Sequence, residues 1–232
     1  MTIGACASLP EDPVEREVGL EANDPLEPMN RAIFAFNMEV DRIILEPTAL
    51  AYRKVVPQPG RIAVHHFLQN LKMPLTFVND LLQFEFARAA DTMARFVVNS
   101  TVGIGGVLDI AGIPGHEEDF GQTFARWGAG EGFYLVLPLY GPSNPRDALG
   151  LVAGGVLDPW QSVLDPTQTV AFAAERAVTG AISNREAVIE EFDEVRRTTV
   201  DLYATVRSAY RQTRGNEIRN GAPPPDPVFE FD

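Results

Sequence analysis

The sequence of 232 residues has one cysteine, Cys6, so no disulfide can close within the chain and no zinc site can be built from cysteines. It has two lysines, Lys54 and Lys72, too few for a polybasic membrane patch or a phosphate-binding cluster. Its 32 acidic residues against 19 basic ones give a formal charge of -13, which argues against nucleic acid as a partner. The other cations are arginines, suited to fixed bidentate contacts. No run of 18 apolar residues occurs, which excludes an ordinary transmembrane helix.

The patterns of common catalytic sites are missing as well. Gly103-Ile104-Gly105-Gly106-Val107-Leu108 has Leu108 where a dinucleotide-binding loop needs its third glycine. No lysine follows a glycine-rich loop, and no serine sits in a Gly-x-Ser-x-Gly elbow. The histidines are His65, His66 and His116; the first two are adjacent and cannot form the i,i+4 pair of a helical metal site. His116 precedes Glu117, Glu118 and Asp119, a run able to coordinate an ion but read here as a polar loop that caps a helix. The sequence assigns no catalytic residue, no cofactor and no metal.

What is present points to an all-α fold. With 45% apolar residues the chain can bury a core, and its length suits one domain. Four segments share a helix-start pattern of Asx, Pro and an acceptor at the fourth position: Asp24 to Glu27, Asn144 to Asp147, Asp158 to Gln161 and Asp165 to Gln168. From Met29 to Leu45 an apolar band of Met29, Ile33, Phe36, Val40, Ile43 and Ile44 lies opposite Arg31 and Arg42. Shorter helices are expected over Arg61 to Leu71 and Pro74 to Phe84. A clearer one covers Glu85 to Val98, with Phe86, Ala89, Met93 and Val97 against Arg88, Asp91 and Arg95. A long helix of roughly 40 Å is expected from Glu186 to about Arg211. Residues 1–22 read as a tether, 23–214 as one helical domain, and 215–232, with Pro223-Pro224-Pro225 and Pro227, as a flexible acidic, proline-rich tail.

The middle differs in kind. Ten of the 19 glycines lie between Gly103 and Gly141, where a regular helix would be costly. Within it, Phe133 to Tyr140 is an apolar run too short to span a membrane; a buried strand, a hairpin arm or a re-entrant segment all fit. Phe124, Trp127, Phe133, Tyr134 and Tyr140 gather aromatic area around the turns, suited to a lipid interface or to an ordinary core. Arg146-Asp147 reads as helix capping plus a solvent-exposed ion pair, with a channel mouth as the alternative. Arg31, Arg61 and Arg95 read mainly as ties between helices. At the N-terminus, Ile3-Gly4-Ala5-Cys6 followed by Ala7-Ser8 reads like a bacterial lipoprotein processing site that lacks the usual signal segment before it.

Motif order adds a resemblance. Asp24-Pro25-Leu26-Glu27-Pro28-Met29-Asn30-Arg31, with Phe34, Phe36-Asn37 and Asp41, resembles the opening motif of the MlaA/VacJ family of outer-membrane lipoproteins. Val56-Pro57-Gln58-Pro59, Val78-Asn79-Asp80-Leu81-Leu82-Gln83, Arg95 to Thr101, Gly103-Ile104-Gly105-Gly106, Asp119-Phe120-Gly121-Gln122-Thr123, Trp127-Gly128, Leu137-Pro138, Gly141-Pro142 and Arg146-Asp147 follow in order. Asp201-Leu202-Tyr203, Arg207, Tyr210 and Arg214 resemble the family's last helix.

The resemblance implies a monotopic ring or horseshoe of amphipathic helices in the inner leaflet of the outer membrane, anchored by a lipid on Cys6. It implies a channel that takes mislocalised phospholipid from the outer leaflet and passes it to a periplasmic lipid-binding carrier, in association with a trimeric porin. Gly103, Gly105, Gly106, Arg146 and Asp147 become channel or loop candidates, and the five aromatics candidates for the lipid interface. A lipoprotein that braces a porin without moving lipid is the alternative; a lipid hydrolase has no assembled nucleophile and base to support it.

Overall fold

The computed structural model describes residues 23–223. Cys6, the tether and the end of the chain from residue 224 lie outside the described residues.

The order of elements is α1 (Glu27–Val40), a π-helical turn (Asp41–Leu45), α2 (Glu46–Val55), α3 (Gln58–Leu82), α4 (Phe86–Thr101), α5 (Phe120–Arg126), β1 (Leu135–Leu137), β2 (Gly141–Ser143), α6 (Pro145–Val156), α7 (Trp160–Val163), α8 (Pro166–Ala187), α9 (Ile189–Thr198) and α10 (Leu202–Ile218). The all-α reading holds, with one small hairpin, and no helix among the described residues is long and apolar enough to cross a membrane. All four Asx-Pro segments lead into helices. Asn144 accepts the N–H of Asp147 at 2.8 Å, and Asp158 accepts that of Trp160 at 3.2 Å.

Two helix boundaries differ from the sequence reading. Helix α3 runs unbroken through Pro74, whose missing N–H removes only the bond to the Asn70 carbonyl. The expected Glu186-to-Arg211 helix is instead the end of α8, then α9, then α10, which continues to Ile218. The break at Thr199-Val200-Asp201 has a local cause. β-Branched residues leave the helical region there, and Asp201 caps α10 by accepting the Ala204 N–H at 3.1 Å.

The apolar run of residues 133–140 supplies β1 and the turn of a hairpin whose second arm is β2, with Leu135 opposite Ser143 and Leu137 opposite Gly141. Helix α1 closes its second edge with two asparagines one heptad apart. Asn30 donates to the Tyr134 carbonyl at 3.0 Å and accepts from the Val136 N–H at 2.9 Å. Asn37 does the same for the Leu137 carbonyl at 2.9 Å and the Leu139 N–H at 2.8 Å. A two-stranded ribbon otherwise leaves these groups unpaired. Behind it, Phe34, Tyr134, Val136 and Tyr203 form a small core, the Phe34 and Tyr203 rings meeting edge to face at 5.5 Å.

Elsewhere the helices are turned inside out. Among the described residues, 11 apolar residues are buried against 19 polar or charged ones. A domain folded around an oily centre has the opposite balance. On α1 and the turn after it, Ile43 and Ile44 are each 60% exposed while Asn30 is 0% and Asp41 9% exposed. On α4 the exposed residues include Phe86, Met93 and Val97, whereas Thr92 and Asn99 are buried. Two of the three arginines expected to tie helices do so, Arg31 forking onto Asp201 at 2.7 and 3.2 Å and Arg61 pairing with Glu186; Arg95 instead bonds Asp109 at 2.7 Å, in the loop that follows its own helix.

Candidate functional site

A cavity of about 860 Å3 is walled by residues of α5, α6, α8 and α10 together with Tyr140, Pro142 and Trp160. That volume lies in the upper part of the roughly 300–1,000 Å3 range of pockets that enclose small ligands. Phe120, Leu151, Phe172 and Val206 give it apolar wall, and Asp119, Asp147, Asp158, Glu217, Arg176 and Arg214 give it charge.

Glycines set the geometry at its back. A Cβ on Gly150 would stand 2.3 Å from the Gly121 nitrogen, so α5 and α6 meet backbone to backbone only because both positions lack side chains. A Cβ on Gly121 would lie 2.5 Å from Asp147 Oδ1 and 2.6 Å from Arg214 Nη2. The same absence admits a polar knot.

Asp147 is the centre of that knot. Its Oδ2 accepts from Tyr210 at 2.6 Å, Arg214 Nε at 2.8 Å and Asn144 at 2.9 Å, while Oδ1 accepts from Arg146 Nε at 3.0 Å. Burial pushes its pKa up, but the bonds from Arg214, Tyr210 and Arg146 outweigh that and hold it below the ordinary carboxylate value. Arg214 extends the knot, forking onto Asp119 at 2.7 and 2.9 Å and reaching Glu217 at 2.9 Å. Its pKa rises despite burial because Asp119 and Asp147 favour the charge, whereas burial and the bond to Asp147 push the Tyr210 hydroxyl up.

Of the residues singled out in the sequence, Asp147 lines the cavity and Arg146 backs it as a buried ion pair. The solvent-exposed capping pair expected of Arg146-Asp147 is therefore corrected: both side chains are more than nine-tenths buried, and Asn144 caps the helix. Gly103, Gly105 and Gly106 are not among the residues lining the cavity. They shape the turn after α4: a Cβ on Gly103 would fall 2.3 Å from the Leu108 carbonyl oxygen, and Gly105 and Gly106 have φ of +70° and +93°.

The five aromatics separate. Trp127 is 57% exposed, with its indole donating to the Leu82 carbonyl at 3.0 Å, and Phe124 lies half-buried against it. Phe133 is exposed and Tyr140 reaches the cavity. Tyr134 is 2% exposed and belongs to the core, not to a surface, because it precedes β1 on the side of Val136 and packs with Phe34 and Tyr203; burial pushes its hydroxyl up to about 12.

Asp119 caps α5 by accepting the Gln122 N–H at 2.9 Å, as the polar-loop reading of residues 116–119 expects. The rest of that loop does more. Asp80, His116 and Glu118 bring one donor atom each within 4.8 Å of one another, a set able to hold a cation. Arg88 already supplies positive charge there, bonding Glu118 at 2.8 Å with its Nε 3.9 Å from Asp80. Sequence reasoning missed this cluster and missed Arg176, Asp158 and Glu217 as cavity residues, since each depends on pairing between distant segments.

A profile of the family described as MlaA lipoprotein matches residues 22–217. The chain is 34% identical over 206 residues to the intermembrane phospholipid transport system lipoprotein MlaA of Escherichia coli K12, covering 86% of this chain and 79% of that one. It is 32% identical over 209 residues to the protein of that name in Haemophilus influenzae, covering 87% and 81%. An uncharacterized protein of Rickettsia bellii is 37% identical over 203 residues, covering 86% and 78%. A solved structure described as the structural basis for maintenance of bacterial outer membrane lipid asymmetry superposes with a TM-score of 0.74 at 33% identity, covering 84% of this chain and 98% of that one.

Proposed function

The chain belongs to the MlaA lipoprotein family, and on that premise we propose that it serves phospholipid transport at the outer membrane as a lipoprotein lying in the inner leaflet. The inside-out distribution of side chains carries this reading. Exposed Phe36, Ile43, Phe86 and Val97 suit contact with acyl chains, and buried Asn30, Asn79, Asp80 and Asn99 make a polar interior.

A phospholipid changes leaflet only if its headgroup finds a polar route while its tails stay in hydrocarbon. The cavity offers both kinds of surface, a mostly apolar wall with the charged side chains of Asp119, Asp158, Arg176, Arg214 and Glu217 set into it. It accommodates a headgroup and its glycerol but not two long acyl chains as well, so the tails must remain outside. Lipid taken from the outer leaflet then passes to a periplasmic carrier, with a trimeric porin as the neighbour in the membrane. The acyl anchor belongs at Cys6, outside the described residues. Asp147 and Arg146 hold the cavity's wall in place, and the Gly103–Gly106 turn fixes the end of α4.

Gly154 offers the test. It lines the cavity, and a Cβ there would sit 3.8 Å from Leu75 and 3.9 Å from Phe120 on the same wall, so Gly154→Trp adds bulk to the cavity without a backbone clash. In outer-membrane preparations carrying a fluorescent phospholipid in the outer leaflet, this variant should keep its helix content and lose most transfer to an aqueous acceptor. A folded variant with unchanged transfer would remove the cavity from the route. A wild-type protein that holds porin and transfers no lipid would establish the bracing role instead.

A further inference from the structure

The charges on the cavity wall are unequal, and we propose that the cavity selects phospholipids whose headgroup carries an ammonium group over those whose headgroup is net negative. This rests on the transport reading above and names the class of lipid carried.

Four carboxylates and two guanidiniums line the wall. Arg214 spends four of its five N–H donors on carboxylates, its three nitrogens donating to Asp119, Asp147 and Glu217. Adding Arg146, which bonds Asp147 through Nε, still leaves three carboxylates facing two guanidiniums in that knot. The surplus is presented to the cavity. The side chains of Asp119 and Glu217 are 47% and 42% exposed, whereas that of Asp147 is buried.

Arg176 stands apart from the knot. One of its amino groups donates to Asp158, its guanidinium lies 5.7 Å from the centre of the Phe172 ring, and its side chain is a quarter exposed. A guanidinium has five N–H donors, so donors remain for a phosphate oxygen. The phosphate of an entering headgroup therefore has Arg176 to meet. An ammonium has the excess carboxylate of Asp119 and Glu217, and the faces of Trp160, Phe172 and Tyr140 on the same wall. A headgroup with phosphate and an uncharged glycerol makes the first contact, brings no ammonium to the carboxylates and, being net negative, is repelled by the surplus acid.

The test uses the full chain in mild detergent, offered equal amounts of phosphatidylethanolamine and phosphatidylglycerol with identical acyl chains, with retained lipid measured by mass spectrometry. The wild type should retain phosphatidylethanolamine about three- to tenfold over phosphatidylglycerol at low salt. Asp119→Asn, which preserves the cap, combined with Glu217→Gln should bring the ratio close to one, chiefly by lowering retention of phosphatidylethanolamine. Arg176→Gln should lower retention of both lipids. Retention without preference, or a preference unmoved in the folded double variant, overturns this inference and leaves the transport reading standing. No retention of either lipid overturns both.

Discussion

Asp147 ties the start of α6 to α10, because Asn144 and Arg146 beside it and Tyr210 and Arg214 across from it all bond its two oxygens. Removing it leaves Arg146 and Arg214 as buried cations short of an acceptor. Asp147→Ala should destabilise the protein by about 3–5 kcal/mol, the cost of breaking a buried ion pair from one side, and Asp147→Asn by roughly half of that. Chemical denaturation in detergent measures both. The pH dependence has a definite sign: a carboxylate held below its unfolded pKa contributes stability that is present above that value and lost as pH falls through the folded one. The wild type should therefore lose stability below about pH 4, and Asp147→Asn should flatten that part of the curve. Glu118 acts oppositely. Burial raises its pKa above 4.5, so its contribution declines as pH rises through the folded value. At this scale the sequence was legible only where the chemistry is local. The Asn144 cap can be read from Asn-Pro-Arg-Asp, but nothing near residue 147 announces Tyr210 or Arg214. The glycines of the turn after α4 show the same limit: clustering marks a turn, yet only the fold separates Gly103, walled by backbone, from Gly105, which has open space but a positive φ. Gly103→Ala should cost clearly more than Gly105→Ala, for which about 1 kcal/mol is expected, in the same denaturation series.

At the level of the helix, periodicity is visible in sequence but its direction is not. The band Met29, Ile33, Phe36, Val40, Ile43 and Ile44 reads the same whether it faces a core or a bilayer; the structure puts Met29, Phe36, Ile43 and Ile44 on the outside, packs Ile33 against the small core, leaves Val40 half-buried and turns Asn30, Phe34 and Asp41 inward. The motif resemblance carried the outward reading, since composition could not. Periodicity also concealed a boundary. Helices α9 and α10 each keep an apolar stripe, so the pattern runs across Thr199 to Asp201 although the chain leaves the helix there. These two faces predict opposite outcomes for conventional substitutions. Ile43→Glu with Ile44→Glu should leave stability in detergent within about 0.5 kcal/mol and weaken partition onto vesicles at least about tenfold. Asn30→Leu puts an apolar residue inside and removes the partner of the Tyr134 carbonyl and the Val136 N–H, as well as a 2.7 Å bond to Asp24. It should cost about 3 kcal/mol while vesicle partition of the folded fraction is unchanged. A protein with an ordinary core would reverse both results.

For the whole molecule, the question is how a chain with a formal charge of -13 and two lysines holds to a membrane surface. Electrostatic attraction to anionic lipid cannot do it, because the average field of the protein repels such a surface. The apolar faces of α1, α3, α4 and α6, with exposed Phe36, Phe67, Phe86 and Val152 among their side chains, supply a driving force that salt does not screen. Binding of the full chain to neutral phosphatidylcholine vesicles should therefore persist from low salt to 1 M, where a charge-driven interaction would fade. On vesicles rich in phosphatidylglycerol, binding should be weaker at low salt and recover as salt is added, the reverse of a basic peripheral protein. Vesicle flotation across a salt series separates the two cases. Binding to anionic vesicles that falls with salt would mean that a concentrated basic surface, rather than the outward apolar faces, holds this protein to lipid.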